Sequence, residues 1–161
     1  KLHRALVAQN STRIGVSFPS FRLQAPHLGK RLRLHGDLAA LSALLASDWL
    51  AGMRDHVTLT QPIRVPEAAK HCAVRRVQVK SSPERLRRRL MRRHNLDAQE
   101  AKQRIPDEAA RLANLPFVQL RSTSTGQTFR LFIEHGPAQS NAMAGNFNAY
   151  GLSQVATIPW F

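Results

Sequence analysis

The run at 81–94, SSPERLRRRLMRRH, constrains this chain more than any other segment. At about 100° per residue on a helix, Arg85, Arg88, Arg89, Arg92 and Arg93 fall within one arc of about 140°. Leu86 and Leu90 flank that arc, Met91 lies further round, and Glu84 is the only acid in the segment. A solvated surface helix usually mixes signs, because opposite charges at i,i+4 stabilise it and like charges do the reverse. Five arginines on one face repel each other, an arrangement that makes sense when a polyanion lies along them. Arginine also forks onto a phosphate through two hydrogen bonds at once. The plainer readings are a basic surface helix or a targeting patch; the concentration of one sign on one face favours a nucleic acid.

The rest of the composition agrees. Lys and Arg number 24 against 10 Asp and Glu, a formal net charge of +14. Between Val74 and Arg93, Arg75, Arg76, Lys80, Arg85, Arg87, Arg88, Arg89, Arg92 and Arg93 face a single acid, so positive potential is concentrated in the second half. A hydrophobic content of 43% permits a packed core and argues against disorder. The 161 residues suit one compact unit or two small subdomains. The single cysteine, Cys72, excludes an internal disulfide and a cysteine-based zinc site, and the adjacent His71 reads as incidental. No metal or cofactor is expected. No apolar run approaches the ~20 residues of a membrane span, and no signal peptide is visible. The expected setting is therefore cytoplasmic and reducing, with no membrane partner.

KLHRALVAQ reads as a helix already in progress, with Leu2, Ala5 and Leu6 on one face and no capping residue ahead of it. A missing N-terminal portion is the expectation. Residues 12–18 read as a strand entered through a turn at Asn10-Ser11, and 31–35 alternates as a half-buried strand. Asp37 is placed to cap a helix whose stripe is Leu38, Leu41, Leu44, Leu45 and Trp49. Residues 57–65 alternate again and are expected to form a strand ending at Pro66. With one strand ahead of Lys1, the order becomes β-α-β-β-α-β, the ferredoxin-like unit, which many unrelated functions share.

A boundary is expected over 66–72. Residues 73–80 alternate as a strand, with Val74, Arg76, Gln78 and Lys80 on one face. The arginine helix follows, with Pro83 in its first turn, Ser82 or Ser81 as cap and Asn95 as its end. Residues 97–104 predict a short helix and 106–114 another. Residues 117–121 and 128–134 predict a hairpin joined by STSTGQ, and 146–161 supply closing strands. The fold class is α+β, with residues 1–68 as a truncated ferredoxin-like domain and 69–161 as a C-terminal α+β domain bearing the arginine-rich helix 82–94.

The segments VQVKSSPERLRRRLMRRHNL, RIP, LPFVQLRSTSTGQTFRLFIEHGP and YGLS…PWF recur in order in one family. In them the whole chain, from KLHRALVAQ to its last residue, closely resembles the CRISPR repeat-processing endoribonucleases of type I-F systems. The resemblance implies an N-terminal ferredoxin-like domain and a C-terminal domain carrying the arginine helix. It implies metal-independent cleavage of a CRISPR repeat RNA hairpin and retention of the product guide RNA. It also implies a place beside other subunits of the surveillance complex. The family's first strand precedes Lys1.

Cutting RNA without a metal means activating the adjacent 2′-hydroxyl, for which a histidine is the natural base. The chain has seven, and spacing alone does not choose among His3, His27, His35, His56, His71, His94 and His135. The resemblance does: His3 holds the catalytic position in KLH. It likewise implies that Ser122 holds the attacking hydroxyl and that Tyr150 lies beside the histidine. By the same route Ser124 meets the neighbouring phosphate, Phe129 stacks on the terminal base pair, and Arg76 and Gln78 read bases in the lower stem. Arg88, Arg89, Arg92 and Arg93 follow phosphates, with Lys80, Arg85 and His94 as further RNA contacts. Without the resemblance, the Ser/Thr/Gly cluster reads as an ordinary turn and Phe129 as a core residue. The competing functional class is a non-catalytic RNA-hairpin-binding subunit, which has no need of His3, Ser122 and Tyr150. A duplex-DNA binder is weaker, since no dimerising heptad or zinc module is present.

Overall fold

The computed structural model describes residues 1–78, 83–106, 115–122 and 126–161. Lys80, Ser81, Ser82, Ser124 and nearly all of the helix expected over 106–114 lie outside them. The chain divides into two units. The first comprises Lys1–Phe21, Leu28–Arg76 and Glu134–Phe161; the second comprises Arg22–His27 and Val77–Ile133.

The first unit opens with helix α1 (Leu2–Ala8). Its apolar face puts Leu6 into a core with Ile14 and Leu44, surrounded by Leu2, Ala5, Leu34, Ala40 and Trp49. Asn10, at φ 46°, turns the chain out of the helix, a conformation asparagine tolerates better than most residues. Strands β1 (Gly15–Ser17) and β2 (Arg33–His35) pair antiparallel, with Gly15 opposite His35. Helix α2 (Leu38–Ala46) is capped as its sequence predicts: the Asp37 carboxylate accepts from Ala40 N at 2.8 Å. That bond, reinforced by Arg13, holds the carboxyl below its usual range. The helix ends before Trp49, whose indole still packs on the Leu6–Ile14–Leu44 core.

The strand expected over 57–65 does not form. Leu59 and Ile63 are 55% and 75% exposed. Alternation specifies an apolar face, but among the described residues no strand takes this segment's ladder bonds and no layer covers that face. The ferredoxin-like order is therefore not formed by the described residues, whereas the mixed α+β class is. Strand β3 (Lys70–Val77) begins inside the expected boundary segment and buries Cys72 and Val74. Burial raises the Cys72 thiol to about 11, which keeps it a neutral core group. Strand β6 (Thr157–Trp160) pairs antiparallel with β3, Cys72 opposite Ile158.

In the second unit, helix α3 (Pro83–His94) spans the arginine run and ends at Asn95, φ 49°. Helix α4 (Ala98–Arg104) starts in a capping box: Asp97 accepts from Gln99 N and Glu100 N at 2.7 Å, and Glu100 accepts from Asp97 N at 3.1 Å. Arg87, on the opposite side of α3 from Arg89, donates to Ile105 O at 2.8 Å and ties the two helices. Strands β4 (Phe117–Arg121) and β5 (Thr128–His135) form the predicted hairpin, with Leu120 opposite Phe129. The last two residues of β5, Glu134 and His135, belong to the first unit.

Candidate active site

Six of the seven histidines have settings unlike that of His3. His35 is buried and bonded through Nε2 to Ser17 Oγ at 2.8 Å; burial, then the nearby Arg33, pushes it down to about 4. His135 stacks on Phe21 (centroids 4.2 Å apart), accepts from Phe18 N at 3.2 Å, and is pushed to about 4 by burial. Both stay neutral near pH 7 and serve packing. His71 sits within β3 with its Nδ1 buried. His27, His56 and His94 are exposed.

His3 is half-buried on α1, and two groups from the far end of the chain fix it. Its Nδ1 lies 2.8 Å from Ala149 O. A carbonyl oxygen only accepts, so Nδ1 carries the proton and the neutral ring keeps its lone pair on Nε2. The Tyr150 ring stacks on the imidazole, centroids 4.1 Å apart and planes 7° from parallel. Tautomer and ring plane are thus both set by residues 149 and 150. A base with its free lone pair on one defined nitrogen is what proton abstraction from a hydroxyl requires.

Ser122 follows β4 in the second unit; its N–H donates to Gln127 O at 2.8 Å and its carbonyl accepts from Gly126 N at 3.0 Å. The first unit therefore brings His3 and Tyr150 together, and Ser122 belongs to the other unit. Phe129 lies on the same face of β5 as the buried Leu131 and Ile133 but stays half-exposed at the turn end of the hairpin.

Arg85, Arg88, Arg89 and Arg92 line one shallow groove along α3. Arg88, Arg89, Arg92, Arg93 and His94 are exposed, and these four arginines enter no ion pair among the described residues. Arg76, near the end of β3, is half-buried and its backbone O accepts from Gln154 Nε2 at 3.1 Å; Gln78 is exposed just past the strand.

Arg75 leaves the basic cluster. It grips Glu134 through two bonds, Nε to Oε2 at 2.9 Å and Nη2 to Oε1 at 3.1 Å, and the carboxylate raises the guanidinium's pKa. The only sequence signal for this pair was the isolated acid in EHGP, out of place beside so much positive charge. Among the described residues no three His, Cys, Asp or Glu side chains gather as metal ligands. No described helix is long and apolar enough to cross a membrane.

Residues 1–161 match the family described as CRISPR-associated protein (Cas_Csy4). The chain is 57% identical over 161 residues to a CRISPR-associated endonuclease Cas6/Csy4 of Pseudomonas aeruginosa (strain UCBPP-PA14). It is 44% identical over the same span to the CRISPR-associated endonuclease Cas6/Csy4 of Escherichia coli (strain UTI89 / UPEC). Each match covers all of this chain and 86% of the relative. The match along the whole length, at these identities, makes the chain a member of the Cas_Csy4 family of CRISPR-associated proteins.

Proposed function

We propose that this protein is a metal-independent endoribonuclease that binds the stem-loop of CRISPR repeat RNA and cuts at its 3′ base. The names of the relatives supply the endonuclease class and the CRISPR context. One observation supports the chemistry above the others: His3 Nδ1–H is committed to Ala149 O, which leaves Nε2 as the base. In this reading Nε2 takes the proton of the 2′-hydroxyl preceding the cut. The 2′-oxygen attacks phosphorus in line, the bond from phosphorus to the 5′-oxygen breaks, and the leaving oxygen is protonated. The products are a 2′,3′-cyclic phosphate and a 5′-hydroxyl. Ser122 holds the attacking hydroxyl and Ser124 the adjacent phosphate. Arg88, Arg89, Arg92 and Arg93 follow the stem phosphates, with Lys80, Arg85 and His94 alongside. Arg76 and Gln78 read base edges, and Phe129 stacks on the terminal pair. Residues 69–161 supply most of the RNA surface and residues 1–68 the base. The same grip retains the product, which the protein carries into the surveillance complex in the cytoplasm.

The test is cleavage of a labelled repeat hairpin in EDTA, with the 3′ end of the product analysed. Undiminished cutting with a cyclic phosphate is expected, and a 2′-deoxy nucleotide before the cut blocks cleavage while sparing binding. Loss of activity in chelator, or cleavage of the deoxy substrate, refutes the mechanism. Tight binding with no cleavage of the all-ribose hairpin favours the non-catalytic hairpin-binding subunit instead.

A further inference from the structure

The group that orients His3 is a backbone carbonyl, and a backbone carbonyl points where its peptide plane points. Ala149 O and Tyr150 N belong to the same peptide unit, which is rigid and planar. At one edge of that planar unit the carbonyl accepts from His3 Nδ1 at 2.8 Å. At the other, Tyr150 N donates to Asn148 Oδ1 at 2.8 Å. The Asn148 side chain also accepts from Leu152 N at 3.2 Å, and its backbone closes the same turn twice: Asn148 N to Leu152 O at 2.9 Å and Gly151 N to Asn148 O at 2.8 Å.

The turn is anchored as a body. Gly151 sits at φ 72°, and its carbonyl accepts from Val16 N of β1 at 2.9 Å. A Cβ there would come within 2.6 Å of Val16 Cγ1, so the turn presses directly on the strand. Within it, the side-chain oxygen of Asn148 accepts from the N–H of the peptide whose carbonyl meets His3. The hydrogen bonds run in series, Asn148 Oδ1 to Tyr150 N–H, then Ala149 C=O to His3 Nδ1–H, and each polarises the next.

We propose that Asn148 is a positioning residue for the reaction: by fixing the Ala149–Tyr150 peptide it holds His3 in the Nδ1–H tautomer and seats the Tyr150 ring against the imidazole. It touches neither substrate nor the reacting atoms. The inference rests on His3 being the base, as proposed above. Asn148 is exposed, so its truncation leaves the core intact. Released, the peptide can rotate, and the imidazole then samples the tautomer with its proton on Nε2, which cannot accept.

The experiment uses the full chain with ¹⁵N-labelled histidine. Long-range ¹H–¹⁵N spectra report the His3 tautomer, with His3→Ala identifying its signals, and single-turnover cleavage and hairpin Kd are measured in parallel. Wild type is expected to show the Nδ1–H form alone. Asn148→Ala and Asn148→Gln, the latter too long to close the turn, are expected to show mixed tautomers. Their cleavage should fall about 10-fold, part of the roughly 10²–10⁴ that a general base contributes, with Kd unchanged. Asn148→Asp keeps the acceptor and should restore both tautomer and rate. Retention of the Nδ1–H form and full rate in Asn148→Ala, or an aspartate variant no better than alanine, overturns the proposal. A wild type that cuts no hairpin defeats the reading of function instead, and the tautomer spectra still decide whether Asn148 orients His3.

Discussion

Arg75→Ala and Arg89→Ala remove the same formal charge, and the proposed grip on RNA gives them different consequences. Arg89 lies in the α3 groove outside any described ion pair, whereas Arg75 is already neutralised by Glu134. If α3 tracks phosphates, each of its arginines contributes about 0.7–0.9 to the slope of log K against log salt. Arg88, Arg89, Arg92 and Arg93 together then account for a slope of about 3. Between 50 and 200 mM salt that corresponds to roughly 10²-fold in hairpin affinity. Arg75→Ala should leave the slope unchanged and act on stability. The pair's side chains are 40% and 35% exposed, so solvent screens them and the loss is about 1 kcal/mol or less. For a chain of this size that lowers Tm by roughly 2–4 °C. The assay is hairpin binding over a salt series for wild type, both single variants and the quadruple α3 variant, with thermal melts alongside. A slope that falls as much for Arg75→Ala as for Arg89→Ala refutes the reasoning, as does a quadruple variant with the wild-type slope.

His3→Ala should slow single-turnover cleavage by roughly 10²–10⁴ and spare hairpin affinity, with Ser122→Ala following in milder form; wild-type cutting by His3→Ala would mean the base lies elsewhere. Arg76→Ala should relax discrimination at one base pair by about 1–3 kcal/mol, read by competing repeats that differ at a single stem position. His35 and His135 are held near 4 in the fold against 6.5 unfolded, so the unfolded state binds their protons first. Their stabilising effect is complete above pH 6.5 and is lost as the pH falls from about 6.5 through about 4; a urea midpoint flat across that window contradicts the burial argument.

Local chemistry was readable in the sequence where one segment decides its own conformation. Proline in the first turn, arginines at helical spacing and an asparagine stop describe α3 as it stands, Pro83–His94 with Asn95 just beyond it, and Asp37 caps α2 through its own side chain. Residues 57–65 show the opposite case: alternation names a face, but whether a layer covers it depends on other elements. The Arg75–Glu134 pair joins residues 59 apart in sequence, and nothing short of strand register brings them together. The contact of His3 with Tyr150 is legible in the sequence only through the family resemblance. Its third member was out of reach altogether, because every residue has a carbonyl and no pattern marks the one at Ala149 as different.

If His3 is the base, as proposed, that carbonyl has an evolutionary consequence. Where a carboxylate side chain orients a catalytic histidine, one codon change removes it. Here the acceptor is main chain, bonded to Nδ1 across 146 residues of sequence, and any amino acid at position 149 carries the same oxygen. The side chain at 149 is free to drift without touching the acceptor itself. Selection on the orientation of His3 therefore falls on the residues that shape the loop around that oxygen. In the proposed reaction a neutral acceptor also fixes the tautomer without placing a negative charge beside the bound RNA, which a carboxylate in the same place would do.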